Sequence, residues 1–352
     1  MQIECSYNAL FDGGWDVHAV RSTVSAARRA VVVSHTNADG DAVGSLLGMC
    51  RLLHNAGVPE VTPMLPDGCP NDLIWLPNTG IILSGKTQLD DCRKAIAAAD
   101  FVVGVDISGL ERTGCLAEPL RTSQGFRMLV DHHLNPARNE FSIVVSEPEI
   151  SSACELVYWL MQSSFGSQIF DRDSATCLYT GLCTDTGNFS FSNDRQSLYL
   201  AAANLLTFGI DPMWINRSIK NVFTVPRFKF FAYAMAHRLT VYPQQRVALM
   251  VLTDKDMSDA GVESHELTGL INEVMKLKDI DCGILIREEP RSNGGELKIR
   301  LSLRSKEHYD VNQLAGELFG GGGHKRAAGA TSTVSLEETV KIVKQKLHLE
   351  DC

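Results

Sequence analysis

Ala30-Val31-Val32-Val33-Ser34-His35-Thr36-Asn37-Ala38-Asp39-Gly40-Asp41 is an apolar, β-branched run that breaks abruptly into His, Asp and Gly. Such a run reads as a strand buried on both faces, and the polar residues after it fall where a parallel sheet opens at its carboxyl edge. Ligands of open α/β sheets collect at that edge. Phe101-Val102-Val103-Gly104-Val105 likewise runs into Asp106, and Met128-Leu129-Val130 into Asp131-His132-His133. A helical stretch leads to Thr184-Asp185-Thr186-Gly187, so four acid-bearing ends point to one shared site.

Outward from these ends, strand and helix alternate. Val17, Val20, Val24 and Ala27 have helical spacing ahead of the first strand, and Ala42–Asn55 reads as a helix stopped by Gly57 and Pro59. Val61–Leu65, Leu89–Ala99 and Ile143–Val145 continue the pattern of a doubly wound parallel sheet. From Ser151 to about Asn221 helical spacing dominates. The expected division is a first domain over 1–221, a linker over 222–242 and a smaller α/β domain over 243–352. That second domain reads β-α-β-β-α-β-α, with Ser292-Asn293-Gly294-Gly295 as a hairpin turn.

The chain has 352 residues, 44% of them hydrophobic and 21% charged, enough for two sizeable cores. Its net charge of -9 argues against a broad grip on long duplex nucleic acid, but allows a short anion in a local pocket. No apolar run is long enough for a membrane helix and no leader pattern opens the chain, so a cytoplasmic protein without membrane partners is expected. Ten cysteines without a C-x-x-C pair indicate buried thiols rather than zinc or disulfide frameworks.

His35, Asp39, Asp41, Asp106, Asp131, His132 and Asp185 form a set of oxygen and imidazole donors that suits Mn2+ or Mg2+, with imidazole favouring Mn2+. A single strand-end Asp is commonly a turn or helix cap. The joint occurrence of four such ends, whose carboxylates would repel one another without cations, favours a pair of metal ions able to activate water against a phosphoryl group. Separately, Arg300, Ser302 and Arg304 alternate with Ile299, Leu301 and Leu303, which places the polar three on one strand face. Beside them Gly320-Gly321-Gly322-Gly323-His324 offers glycine N–H groups free to turn toward a phosphate, with a histidine donor added.

His35-Thr36-Asn37-Ala38-Asp39-Gly40-Asp41, Asp106, Asp131-His132-His133 and Asp185 together resemble the motifs of the DHH phosphoesterase family. Ala38 stands where many members carry proline, a change that touches loop rigidity and removes no ligand. Gly320 to Gly329 resembles the signature of the accompanying DHHA1 domain. The resemblance implies a DHH domain followed by a smaller DHHA1 domain. It assigns His35, Asp39 and Asp106 to one metal, and Asp41, Asp106, His132 and Asp185 to the other, with Asp106 bridging. His133 would face the substrate phosphate as donor or proton source, while Asp131 orients a histidine from behind. Arg300, Ser302, Arg304, Gly321, Gly322, Gly323 and His324 would hold a terminal phosphate.

Length and domain plan resemble the nanoRNase branch of the family. That implies a phosphoesterase using two Mn2+ ions, with Mg2+ or Co2+ as substitutes, acting on short RNA oligonucleotides, dinucleotides such as pApA, and pAp. It leaves a homodimer open. A family II inorganic pyrophosphatase and a non-catalytic nucleotide sensor are the alternatives. A RecJ-like exonuclease is disfavoured by the acidic balance.

Overall fold

The computed structural model of the chain describes residues 15–190, 194–220, 223–289, 298–306 and 308–350. They fall into two units, Met1–Val222 and Phe223–Cys352. The first opens with α1 (Val17–Ala26), β1 (Arg29–Val33), α2 (Gly40–Asn55), β2 (Glu60–Leu65), β3 (Leu83–Ser84), α3 (Leu89–Ala98) and β4 (Phe101–Val105). It continues through α4 (Ala117–Thr122), β5 (Phe126–Asp131), β6 (Ile143–Ser146), α5 (Ala153–Phe165), α6 (Arg172–Asp185), α7 (Gln196–Leu206) and α8 (Pro212–Lys220).

Among the described residues, these strands form a six-stranded sheet in the order β3-β2-β1-β4-β5-β6, parallel throughout. Successive side chains of a strand point to opposite faces, and here both faces are covered. Val32, Val103, Val105 and Val130 join one core with Leu46 of α2 and Leu156 of α5. Val31, Val33, Val102 and Leu129 join the other with Ile96 of α3 and Leu120 of α4. That double coverage is why the strands read as unbroken apolar runs, each buried valine contributing roughly 1.5 to 3 kcal/mol.

The second unit begins with α9 (Val225–His237) and β7 (Leu239–Tyr242), then β8 (Val247–Leu252), α10 (Asp254–Ala260), α11 (Leu270–Val274), β9 (Cys282–Glu289) and β10 (Lys298–Ser305). α12 (Val311–Phe319), β11 (Gly322–His324), β12 (Ala327–Ser332) and α13 (Leu336–Lys346) complete it. Its sheet runs β11-β12-β10-β9-β8-β7, antiparallel except between β8 and β9.

Several details differ from the sequence reading. The stretch 225–242, read as a linker with a connecting helix, does hold a helix, but Phe230, Phe231 and Ala234 pack with Met250 and Leu252 in a core of the second unit, and an edge strand follows. The first helix of the β-α-β-β-α-β-α order, which the sequence places over Glu266–Leu277, is interrupted by Gly269 at φ +90°, leaving a 3-10 turn at Ser264–Leu267 before α11. The hairpin turn 292–295 lies outside the described residues, while β9 and β10 pair antiparallel. Helix α10 and the short strands β3 and β11 carry too few residues for their periodicity to stand out.

The two faces of the second sheet are unequal. Ile299, Leu301 and Leu303 of β10 enter a core with Val311, Leu314 and Val343. On the opposite face, Leu285 of β9 is covered by a core that includes Phe230, Met257 and Leu270. Beside it, Arg300, Ser302 and Arg304 line an open cleft.

Candidate active site

The strand order of the first sheet reverses between β1 and β4, and a crevice outside the carboxyl ends of the strands at such a reversal is the usual ligand position. His35 follows β1, Asp106 follows β4, and Asp131 ends β5. Asp106 leaves the sheet at φ +55°, a left-handed conformation that Asp tolerates better than most residues. Its Oδ2 lies 3.2 Å from Nε2 of His35. His132 completes the cluster, its Nε2 standing 3.5 Å from Asp185 Oδ2, 3.6 Å from Asp106 Oδ1 and 3.8 Å from Asp41 Oδ2. The ring of His35 is oriented by its second nitrogen, 2.8 Å from the Thr36 carbonyl.

Helix packing brings Asp41 and Asp185 together although they lie far apart in the chain. Asp39 caps α2, accepting from the N–H groups of Asp41 and Ala42 at 3.1 and 3.0 Å, and so sets Asp41 in the first turn. Gly40, Gly44 and Gly48, four residues apart, form a side-chain-free stripe against α6. A Cβ on Gly44 would come 2.6 Å from the Cys177 carbonyl, and one on Gly48 2.7 Å from Leu178 Cδ2. The close approach sets the carboxyl end of α6, with Asp185, beside the amino end of α2.

Asp41 is buried, and its two oxygens accept from the first N–H groups of α5, Ala153 at 2.7 Å and Cys154 at 2.9 Å. Burial and the nearby Asp106 charge push its carboxyl up to about 7, with His132 opposing. Asp185 is also raised, by burial and then Asp41. Asp106 goes the other way: burial would raise it, but His132 and His35 hold it well below the usual carboxylate range. Among the described residues its Oδ1 is buried without a hydrogen-bond partner, with His132 Nε2 and His133 Nδ1 each 3.6 Å away.

Within each of the groups His35–Asp39–Asp106 and Asp41–His132–Asp185, the donor atoms lie within 4.8 Å of one another, a spacing one cation can draw together. A third such group joins Asp106, His132 and His133. His133, however, is engaged on both nitrogens. Nδ1 lies 2.7 Å from Asp131 Oδ1, and Nε2 lies 2.9 Å from Nη1 of Arg112. Asp131, fully buried, also accepts from the His133 N–H at 3.1 Å.

Sequence reasoning missed several supports of the cluster. Arg112 is a single arginine in the short 3-10 segment Leu110–Leu116, with no sequence pattern around it. Asp67 accepts from the Asn37 N–H at 2.9 Å and steadies the first loop. The α5 amino end carries a readable signal, Ser152-x-x-Glu155, in which Ser152 caps and Glu155 holds Ser151.

In the second unit, Arg300, Ser302, Arg304, Gly321 and Gly322 line one cleft of about 620 Å3 with Thr331. Gly323 and His324 lie outside that lining, on the exposed edge strand β11. The glycine run differs from the cradle of free N–H groups expected of it. Gly320 and Gly321 donate to Gly316 and Ala315 and close α12, while Gly323 donates to Asn312 Oδ1 at 2.8 Å. Gly320 needs φ +66° for that closure, and a Cβ on Gly321 would come 2.6 Å from Ala330 Cβ. Glycine is therefore required for turning and close packing. Arg300 is shared with Thr331 Oγ1 at 3.3 Å and Glu289 at 3.7 Å. Arg304 forms no ion pair among the described residues, and burial lowers its guanidinium pKa.

Comparison with known proteins follows the same division. Residues 29–182 match the model of the DHH family N-terminal domain, and residues 244–349 that of the DHHA1 domain. A bifunctional oligoribonuclease and PAP phosphatase, NrnA, of Thermus thermophilus is 28% identical over 307 residues, covering 85% of this chain and 83% of its own. The fold is shared with a structure of exonuclease RecJ bound to manganese, at 14% identity and a TM-score of 0.52 over 97% of both chains. An exopolyphosphatase-related protein from Bacteroides fragilis superimposes with a TM-score of 0.89 at 30% identity, over 94% of this chain and 95% of that one. Similarity of that extent, with one domain model in each unit, means that the chain belongs to the DHH family and carries a DHHA1 domain in its second unit.

Proposed function

We propose that this protein is a metal-dependent phosphoesterase that hydrolyses very short oligoribonucleotides, pApA among them, to mononucleotides, and converts pAp to AMP. The observation that carries the reading is the Oδ1 of Asp106, a buried anionic oxygen without a hydrogen bond among the described residues, beside two groups of metal-binding atoms. Leaving such an atom unsatisfied is costly, and a cation relieves it. Carboxylate oxygens mixed with imidazole nitrogens fit Mn2+. His35, Asp39 and Asp106 would hold one ion, and Asp41, Asp106, His132 and Asp185 the other. When bound, such a pair makes water nucleophilic at neutral pH and neutralises phosphoryl charge.

The chain's own residues divide the remaining work. The α5 N–H groups fix Asp41 and hold a negative charge there. Asp131 holds the His133 ring, which we assign to the substrate phosphate. In the second unit, Arg304, Arg300 and Ser302 bind a terminal nucleotide phosphate by forked hydrogen bonds, with Gly321 and Gly322 giving it room and Gly323 and His324 beside them. The name of the Thermus relative supports the substrate class. No helix among the described residues is long and apolar enough to cross a membrane, which suits action on nucleotides of the cytoplasm.

The test is a parallel incubation of the Mn2+-loaded protein with pApA, pAp, a cyclic dinucleotide, pyrophosphate and a longer RNA. Release of AMP from pApA, and more slowly from pAp, is expected. Turnover of pyrophosphate alone would replace this reading with a pyrophosphatase. Tight nucleotide binding without any turnover would replace it with a sensor.

A further inference from the structure

Arg112 lies on the 3-10 segment Leu110–Leu116 that follows Asp106. The segment is pinned to the first loop, because the Thr36 N–H donates to the Arg112 carbonyl at 2.9 Å. At the kink, Gly114 has φ +54° and passes so close that a Cβ would come 2.8 Å from Thr36 Cγ2. The arginine's backbone is thus fixed beside His35 while its side chain reaches His133.

Its Nη1 donates to Nε2 of His133 at 2.9 Å. A guanidinium only donates, so Nε2 is the accepting atom of this contact, while Nδ1 lies 2.7 Å from Asp131 Oδ1. Among the described residues Arg112 forms no ion pair, although the His133 ring it contacts lies 3.6 Å from Asp106 and 2.7 Å from Asp131. A half-buried cation resting on an imidazole ring rather than on a carboxylate keeps the rest of its planar fork available for an anion. Two oxygens of a phosphoryl group match that fork.

We propose that Arg112 is the phosphate-binding residue of the first unit. It donates to the non-bridging oxygens of the substrate's scissile phosphate, and without substrate it rests on His133. The inference deepens, and rests on, the phosphoesterase reading of this site. It adds a residue that engages the anion, where the acid cluster engages cations.

The test uses the full chain as wild type, Arg112→Ala and Arg112→Lys, titrated calorimetrically with Mn2+ alone and then with inorganic phosphate, alongside kcat and KM for pApA. In Arg112→Ala, Mn2+ affinity is expected within about twofold of wild type and phosphate affinity lower by about tenfold or more, as loss of a forked contact implies. Arg112→Lys, with charge but no fork, should fall between. Unchanged phosphate affinity in Arg112→Ala overturns the proposal. So does a parallel loss of Mn2+ binding, which would make Arg112 a support of the metal ligands. A wild type that binds phosphate but hydrolyses no nucleotide sinks the phosphoesterase reading, while the phosphate titrations still decide the role of Arg112.

Discussion

Gly181 of α6 stands so close to Asp41 that a Cβ on it would come 2.7 Å from the Asp41 Oδ1. The carboxylate is held from the other side by α5 and has no slack. Gly181→Ala is therefore expected to lower stability by about 1 to 3 kcal/mol, the usual range for overpacking. It should also weaken Mn2+ binding. Urea unfolding and calorimetry check the two effects, and wild-type values in both would mean that the helices separate freely.

Asp106 sits beside both donor groups, so its removal should disable both at once. Asp106→Asn keeps the shape and loses the charge. Turnover of pApA is expected to fall by about a thousandfold or more, comparable to losing a major electrostatic contributor to a transition state. Circular dichroism should remain that of wild type. Turnover within about tenfold of wild type would remove Asp106 from the metal site.

Arg304 is a half-buried cation without a carboxylate partner among the described residues, a costly arrangement unless an anion arrives. Arg304→Met should leave the substrate-free protein as stable as wild type or more so, while KM for pApA rises by about tenfold or more. Thermal unfolding and steady-state kinetics read the two sides. A lower melting temperature with unchanged KM would make Arg304 a structural residue.

Asp171 caps α6, the helix that ends in Asp185. Burial would raise its pKa, but hydrogen bonds from Ser174, Asn55 and Arg51 prevail and lower it from the ordinary 3.8. A carboxylate depressed in the folded state stabilises above the unfolded pKa, and that contribution is lost as pH falls through the folded pKa. Wild type should therefore exceed Asp171→Asn in stability at neutral pH, and the difference should shrink below about pH 4. Urea melts across pH 2.5 to 7 test this, and a gap constant with pH would contradict it.

Much of the first unit was legible because parallel strands covered on both faces leave an unmistakable record. Val31–Val33, Phe101–Val105 and Met128–Val130 could be little else, and the acids at their ends marked the crevice. The stripe of Gly40, Gly44 and Gly48 went unread, because its meaning depends on the approach of α6, which the sequence does not show. Arg112 was not legible either, since a lone arginine in a short 3-10 segment resembles any solvated one. Nor could the α5 N–H groups on Asp41 be foreseen, because backbone donors leave no trace in side-chain identity. The glycine run carries more than one reading for a physical reason: capping and close packing select glycine as strongly as anion binding does.

The unequal faces of the second sheet divide one strand between two kinds of constraint. Every other residue of β10 answers to the interior, and those between answer to whatever occupies the cleft. Under the proposed function, mutation at Arg300, Ser302 or Arg304 would shift which nucleotide is preferred without disturbing Ile299, Leu301 or Leu303, so specificity could change while the skeleton stays.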